Sequence, residues 1–124
     1  MAVPFKAPVK DITFGYEVID SYNILNKISE FSDFSEDIVI PTMEECAKFS
    51  EEVLAPINAI GDQQGATIDN GVVKMPQEFV DAYKKFAEAG WASISLPEEL
   101  GGGGQPLTLS GCLLYTSPSP RDHQ

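Results

Sequence analysis

Between Lys85 and Gly104 the chain reads KFAEAGWASISLPEELGGGG, and no single helix or strand can run through it. Gly90 favours the left-handed backbone that ends a helix, Pro97 removes a backbone donor, and the glycines at 101–104 break regular structure outright. A helix must therefore close at Gly90, a turn must form around Trp91, and a loop must follow Pro97-Glu98-Glu99-Leu100. Whatever precedes this stretch has to pack around that turn.

What precedes it reads as helices. Pro4 and Pro8 mark an extended lead-in, and Pro8 suits a first helical turn, where its missing N–H costs nothing. From Val9 to Asp20, Ile12, Tyr16 and Ile19 recur at helical spacing, with Phe14 and Val18 beside them, which predicts a broad apolar face. Ile24, Leu25 and Ile28 repeat the pattern briefly. Ser35 is placed to cap the longest helical signal, with Glu36 and Asp37 at its positive end. Along it Met43, Cys46, Ala47, Val53, Leu54, Ile57 and Ile60 recur at three and four. Pro41 is expected to start or kink this helix, Pro56 to bend it and Gly61 to end it.

At Ala66–Lys74 the period changes. Asn70-Gly71 between Thr67-Ile68 and Val72-Val73 predicts a tight hairpin. Pro76 then opens a helix whose expected buried stripe is Phe79, Val80, Tyr83, Phe86 and Ala87. The fold class is mainly α, with one small hairpin near Ile68–Val73 and a disordered C-terminal tail.

The charge narrows the partners. A formal net charge of -11 without any basic run disfavours nucleic acid and anionic membrane surfaces, which bind clustered Lys and Arg. No apolar run reaches the roughly 20 residues that span a bilayer. The N-terminus lacks the apolar core of a secretory signal. Cys46 and Cys112 sit in contexts that argue against pairing, and a reduced cytoplasmic setting is the expectation.

The tail from Cys112, CLLYTSPSPRDHQ, shows no helical periodicity in this reading, and Ser117-Pro118-Ser119-Pro120 blocks regular structure. Reverse translation of the eleven residues Cys112–Asp122 yields a sequence that looks like a transposase-type library adapter. The segment 111–124 is therefore expected to be adapter-derived, with the natural protein cut short near Ser110. His123, the chain's only histidine, lies beyond that match and carries no functional weight.

Chemistry is sparse. Glu44, Glu45, Glu51 and Glu52 could be imagined around a hard cation, but without histidine or a calcium-loop pattern a solvated helix face explains them better. Cys46 lies on an apolar stripe with nothing to activate it, so a core residue is the reading preferred over a nucleophile. Gly101–Gly104 lacks the Lys-Ser/Thr of a P-loop and the β–α–β frame of a dinucleotide fingerprint, so a turn is preferred over a phosphate cradle. Trp91 after a helix cap is expected to staple that helix to the core. No catalytic, cofactor-binding or metal-ligating residue is assigned.

The ordered pieces KFSEEVLAPIN, GDQQG at 61–65, MPQEFVDAYKKFAEAGW at 75–91 and LPEELGGGG at 96–104 resemble the N-terminal helical domain of FAD-dependent acyl-CoA dehydrogenases. The last looks like that family's Pro-Glu-Glu-aromatic-Gly-Gly turn, with Leu100 where an aromatic often stands. FKAPVKDITFGYEVID, residues 5–20, is similar to the extra N-terminal segment of a bacterial branch that includes methylthiopropanoyl-CoA dehydrogenases. The resemblance implies three units here: an extension at 1–34, a truncated helical domain at 35–110 and the tail. It implies a flavoenzyme in which a carboxylate takes the α proton of an acyl-CoA thioester while the β hydrogen leaves as hydride to FAD. Electrons then pass to an electron-transferring flavoprotein, and the enzyme is a homo-oligomer. The base and most FAD contacts belong to later domains in this family, so the chain by itself is expected to be inactive. A different class of reading also stands: a free-standing acidic helical module that binds a basic or apolar partner.

Overall fold

The computed structural model describes residues 4–117. The lead-in runs extended to Pro8 and into helix α1, Val9–Val18. Ile12 and Tyr16, one turn apart, face the core, and Tyr16 is buried. The expected broad face is corrected: Phe14, Val18 and Ile19 are 64%, 64% and 65% exposed. Phe14 stands two residues from Ile12, and Val18 two from Tyr16. At about 100° per residue, two positions apart fall on nearly opposite sides of a helix. Asp20, in the left-handed region at φ 55°, turns the chain into helix α2, Ser21–Leu25. Its carboxylate accepts from Asn23 Nδ2 at 2.7 Å. Only Leu25 of the expected apolar trio packs on the core, while Ile24 and Ile28 are 54% and 44% exposed.

A 3-10 turn at Ser29–Phe31 then delivers Phe34 into the interior. The rings of Tyr16, Tyr22 and Phe34 lie 5.6–6.1 Å apart by centroid, within the range of favourable aromatic pairs. Helix α3, Glu36–Phe49, starts after Ser35 as expected, with Glu36 and Asp37 in its first turn. The cap differs in kind: the Ser35 carbonyl receives the N–H groups of Ile38 and Val39, and its hydroxyl makes no capping bond. Val39 and Met43 are fully buried and Cys46 nearly so, one every three or four residues. Pro41 sits inside α3 on an exposed face.

The rod continues through a π-helical turn, Ser50–Leu54, into helix α4, Ala55–Gln64. The π turn ends at Leu54, two residues before Pro56. Proline cannot donate to the carbonyl four residues back and its ring crowds that carbonyl, and a wider turn relieves both. Gly61 does not end the helix. α4 runs to Gln64 and closes at Gly65. Gly61 has a packing role instead, since a Cβ there would lie 2.5 Å from Phe79 Cζ.

Strands β1, Thr67–Asp69, and β2, Val72–Lys74, pair antiparallel with Ile68 opposite Val73. Asn70 and Gly71, at φ 50° and 77°, make the expected tight turn. Helix α5, Gln77–Glu88, follows Pro76. Its expected stripe is corrected: Ala82 is buried and Phe79 and Phe86 are half-buried, but Tyr83 is 71% exposed and Val80 and Ala87 also face out. Gly90, at φ 76°, closes it as expected.

Past the glycine loop, helix α6, Leu107–Thr116, packs against α3. The absence of helical periodicity from Cys112 is corrected here. Leu109, Leu113 and Thr116 are all buried, at the spacing of a single helix face, and Cys112 packs beside them. Thr116 Oγ1 donates to the Cys112 carbonyl at 2.7 Å. Residues 118–124, with His123 and the Pro118/Pro120 pair, lie outside the described residues. The closed core thus lies among α1, α2, α3 and α6.

Candidate functional site

The turn from Gly90 to Gln105 is built almost wholly from its own backbone. Gly101 N–H donates to the Glu98 carbonyl, Gly102 to Pro97, Gly103 to Ser93, Gly104 to Leu96 and Gln105 to Ile94, all at 2.9–3.0 Å. Five successive N–H groups are thereby committed inside the loop. A phosphate-binding loop needs such groups pointing outward and free, and none of these five is. The glycines serve close approach: a Cβ on Gly102 would lie 2.1 Å from the Leu96 carbonyl oxygen, and one on Gly103 2.7 Å from that of Ile94. Any side chain there would push apart the strands of backbone that bond to each other.

Between this loop and α3 lies a cleft of about 500 Å³, walled by Pro41, Thr42, Glu45, Trp91, Ile94 and Gly102. Among the described residues it offers one carboxylate, Glu45, and no cation. On the far side of Trp91 a second cleft of about 450 Å³ is bounded by Phe49, Ser50, Leu54, Phe86, Leu107 and α6. Trp91 therefore divides two recesses, packing against the core as a staple while lining both. Ser50 is fully buried beside Cys46, and among the described residues neither its Oγ nor Trp91 Nε1 meets a partner at full hydrogen-bond geometry. Each such orphan costs about 1–3 kcal/mol in an otherwise closed interior. These two atoms were not singled out from sequence. Ser50 falls four residues after Cys46 and seven after Met43, on the buried face, which is the signal that marks it.

The titratable groups do little chemistry. Burial pushes the Cys46 thiol up, with neighbouring Ser50 pulling the other way, and Sγ faces the Leu113 carbonyl at 3.8 Å. A thiol held protonated is a poor nucleophile. Cys112 is also free, with Sγ 3.7 Å from Tyr16 Oη. Burial raises the Tyr16 phenol well above its ordinary range, and Tyr22 is raised for the same reason, with Glu36 and Glu17 adding to it. Glu44, Glu45 and Glu52 are exposed. Glu51 is engaged elsewhere: its carboxylate accepts from Ala7 N–H at 3.0 Å and Lys6 Nζ at 3.1 Å. Those contacts, the backbone bond first, hold its carboxyl below the usual range and pin the lead-in across the π turn. Among the described residues no group of three or more His, Cys, Asp or Glu is placed to hold a metal ion. No helix among them is long and apolar enough to cross a membrane.

A dinucleotide flavin does not fit the described residues as a complete site. Its pyrophosphate would need free N–H groups or cations, and the glycine loop's five donors are spent while the adjoining cleft presents Glu45.

Residues 41–117 match the model of the acyl-CoA dehydrogenase N-terminal domain. The chain is also 36% identical over 102 residues to 3-methylmercaptopropionyl-CoA dehydrogenase of Ruegeria pomeroyi, an alignment covering 82% of this chain and 17% of that protein. The chain thus spans under a fifth of the length of that relative. The family match begins inside α3 and runs through α6, with the Trp91 turn and glycine loop in its second half.

Proposed function

The chain belongs to the acyl-CoA dehydrogenase family, and from that membership we propose that it forms the N-terminal helical part of a flavoprotein that α,β-dehydrogenates acyl-CoA thioesters. The family is an oxidoreductase family and generally uses FAD. In the whole protein a bound flavin would supply the acceptor for the hydrogen removed from the β carbon. What this chain contributes is a wall. The self-bonded loop from Gly90 to Gln105 is a pre-formed surface, stiffened by its internal hydrogen bonds, against which other parts of the enzyme and its ligands can be positioned.

The observation that carries this reading is the family match spanning α3 to α6, together with a loop whose glycines are demanded by backbone contact. No side chain of residues 4–117 is assigned as the base. Glu98 and Glu99 lie in a 3-10 turn on the exposed rim of the loop. The 124-residue chain is inactive by itself in this reading. Its acyl-CoA substrate, electron-transferring flavoprotein and like subunits are met by the longer protein, in the cytoplasm. The segment from Cys112 to Asp122 is proposed to be adapter-derived in its coding origin. Helix formation through Thr116 is compatible with that, because conformation follows the residues whatever encoded them.

One experiment addresses the assignment. The gene is recovered from its genomic locus, expressed at full length and assayed for bound flavin and acyl-CoA oxidation. A yellow protein that oxidises acyl-CoA with an electron-transferring flavoprotein or dye acceptor is expected. A flavin-free, inactive full-length product removes the enzyme reading. The same locus decides the tail: contiguous genomic DNA encoding CLLYTSPSPRD after Gly111 would refute the adapter origin.

A further inference from the structure

We propose that the Asn70-Gly71 turn is a site of self-modification, at which the folded chain converts Asn70 to isoaspartate or aspartate at a rate set by the opening of the hairpin. The chemistry needs an asparagine amide, an unhindered backbone nitrogen on the next residue, and water. Of Asn23, Asn26, Asn58 and Asn70, only the last is followed by glycine. Asn23 and Asn58 lie inside α2 and α4, and Asn26 keeps helical dihedrals at the end of α2. Each of these precedes a residue whose Cβ crowds the nitrogen that would attack. At Gly71 nothing stands within 4 Å of the place a Cβ would take, and every residue from 66 to 75 except the half of the turn's own backbone that faces its neighbours is open to solvent. The reaction balances without any co-reactant but water. The Gly71 nitrogen bonds to Asn70 Cγ as the Cγ–Nδ2 bond breaks, and Nδ2 leaves as ammonia with the proton that Gly71 gives up. Water then opens the cyclic imide at either carbonyl. Opening at Cγ gives aspartate; opening at the main-chain carbonyl routes the backbone through the side chain, which is isoaspartate. Nothing is oxidised or reduced.

The hairpin acts as the gate. With Asn70 at φ 50° and Gly71 at φ 77°, the turn holds the backbone that strand pairing requires, and ring closure needs Asn70 to swing out of it. Opening is cheap here. β1 and β2 are three residues each and wholly exposed, and a lone two-stranded hairpin is marginal in water. The Lys74–Asp69 ion pair ties the strands together at the surface. Once isoaspartate forms, the extra main-chain methylene lengthens the two-residue turn, and the pairs Asp69–Val72 and Ile68–Val73 lose their register. A new carboxylate also stands beside Asp69 in a chain already at net charge -11. The site rests on the hairpin alone and does not depend on the catalytic reading of the longer protein.

The test incubates the 124-residue chain, warm and at mildly alkaline pH, and follows it by tryptic peptide mapping with mass spectrometry. Residues 49–74 leave as one tryptic peptide that carries both Asn58 and Asn70, so each molecule brings its own control. Isoaspartate and aspartate are expected to accumulate at Asn70 while Asn58 keeps its amide. Lys74→Ala removes the surface tie and is expected to speed conversion by roughly 1.5- to fivefold, the factor by which an exposed ion pair favours the closed hairpin. The substitution is on an exposed strand end, and the readout on the unaltered chain needs no substitution at all. Three results would each overturn the proposal: Asn70 intact in the folded chain while a free peptide of residues 66–75 converts, Asn58 converting as fast as Asn70, or a rate that Lys74→Ala leaves unmoved.

Discussion

Helices α3 and α5 both carry apolar stripes, yet they meet opposite fates. On α3, Val39 and Met43 are fully buried, enclosed by α1, α2 and α6. On α5 the stripe is at least as clear in sequence, but only Ala82 is fully covered, and Tyr83 is 71% exposed. The hairpin beside it is more open still: Ile68, Val72 and Val73 are 77%, 61% and 64% exposed. The difference teaches that amphipathic spacing states a demand for a neighbour without saying whether the same chain supplies one. For the α3 half the neighbour is present. For the α4–hairpin–α5 half, the cover proposed is the rest of a longer protein of this family.

Substitutions in the two halves should separate them sharply. Met43→Ala in the closed half is expected to cost about 2–5 kcal/mol in urea unfolding followed by helical circular dichroism. A loss below about 1 kcal/mol would mean that the core is loosely packed and the contrast false. Gly102→Ala comes next at about 1–3 kcal/mol, because the added methyl meets the Leu96 carbonyl and forces apart bonds at Gly102 and Gly104. If the variant unfolds with the parent midpoint, the loop is not the rigid support described.

The clamp at the lead-in is smaller. Glu51 has its folded pKa depressed by Ala7 N–H and Lys6, so its contribution is present above the unfolded glutamate pKa and lost as pH falls through the folded value. With most of the ion pair on a solvent-exposed lysine, that contribution is at most about 1 kcal/mol. Glu51→Gln should therefore flatten part of the loss of stability between neutral pH and the acid limb, measured as urea midpoint against pH. An unchanged acid limb would show that the strap is not held by this carboxylate. The smallest effect belongs to the open half: Tyr83→Ser should move stability by no more than about 0.5 kcal/mol while reducing self-association in light scattering. A large destabilisation there would erase the distinction between the halves.

What the sequence made legible was local. The hairpin followed from Asn70-Gly71, the end of α5 from Gly90 and the start of α3 from Ser35-Glu36-Asp37, since each depends on backbone preferences a few residues long. Less legible was anything set by distant partners. Tyr83 is an aromatic residue at a plausible helical position, and the placement of other helices leaves it outside, whereas Phe14 is turned away by its two-residue spacing from Ile12. Gly61 looked like a stop because glycine often is one, whereas the ring of Phe79, eighteen residues on, requires its missing side chain. α6 was hidden by the prolines that follow it, although Leu109, Leu113 and Thr116 carry the period. In the cleft, Trp91 was visible as a staple, but the unmet donor on its indole exists only once the neighbouring helices are in place.

The π turn at Ser50–Leu54 has one more effect, on the phase of the rod. An extra residue in one turn offsets everything beyond it by about 100° of helical rotation. Upstream, the rod shows Met43 and Cys46 to α6; downstream, it shows Gly61 to Phe79 on α5. One continuous axle thus meshes with two neighbours set at different angles around it. Removing a single residue between Glu51 and Val53 would let the rod run as regular α-helix and leave both faces where they are, because the shorter run from Met43 to Gly61, at about 100° per residue, turns the rod as far as the present run with its wide turn.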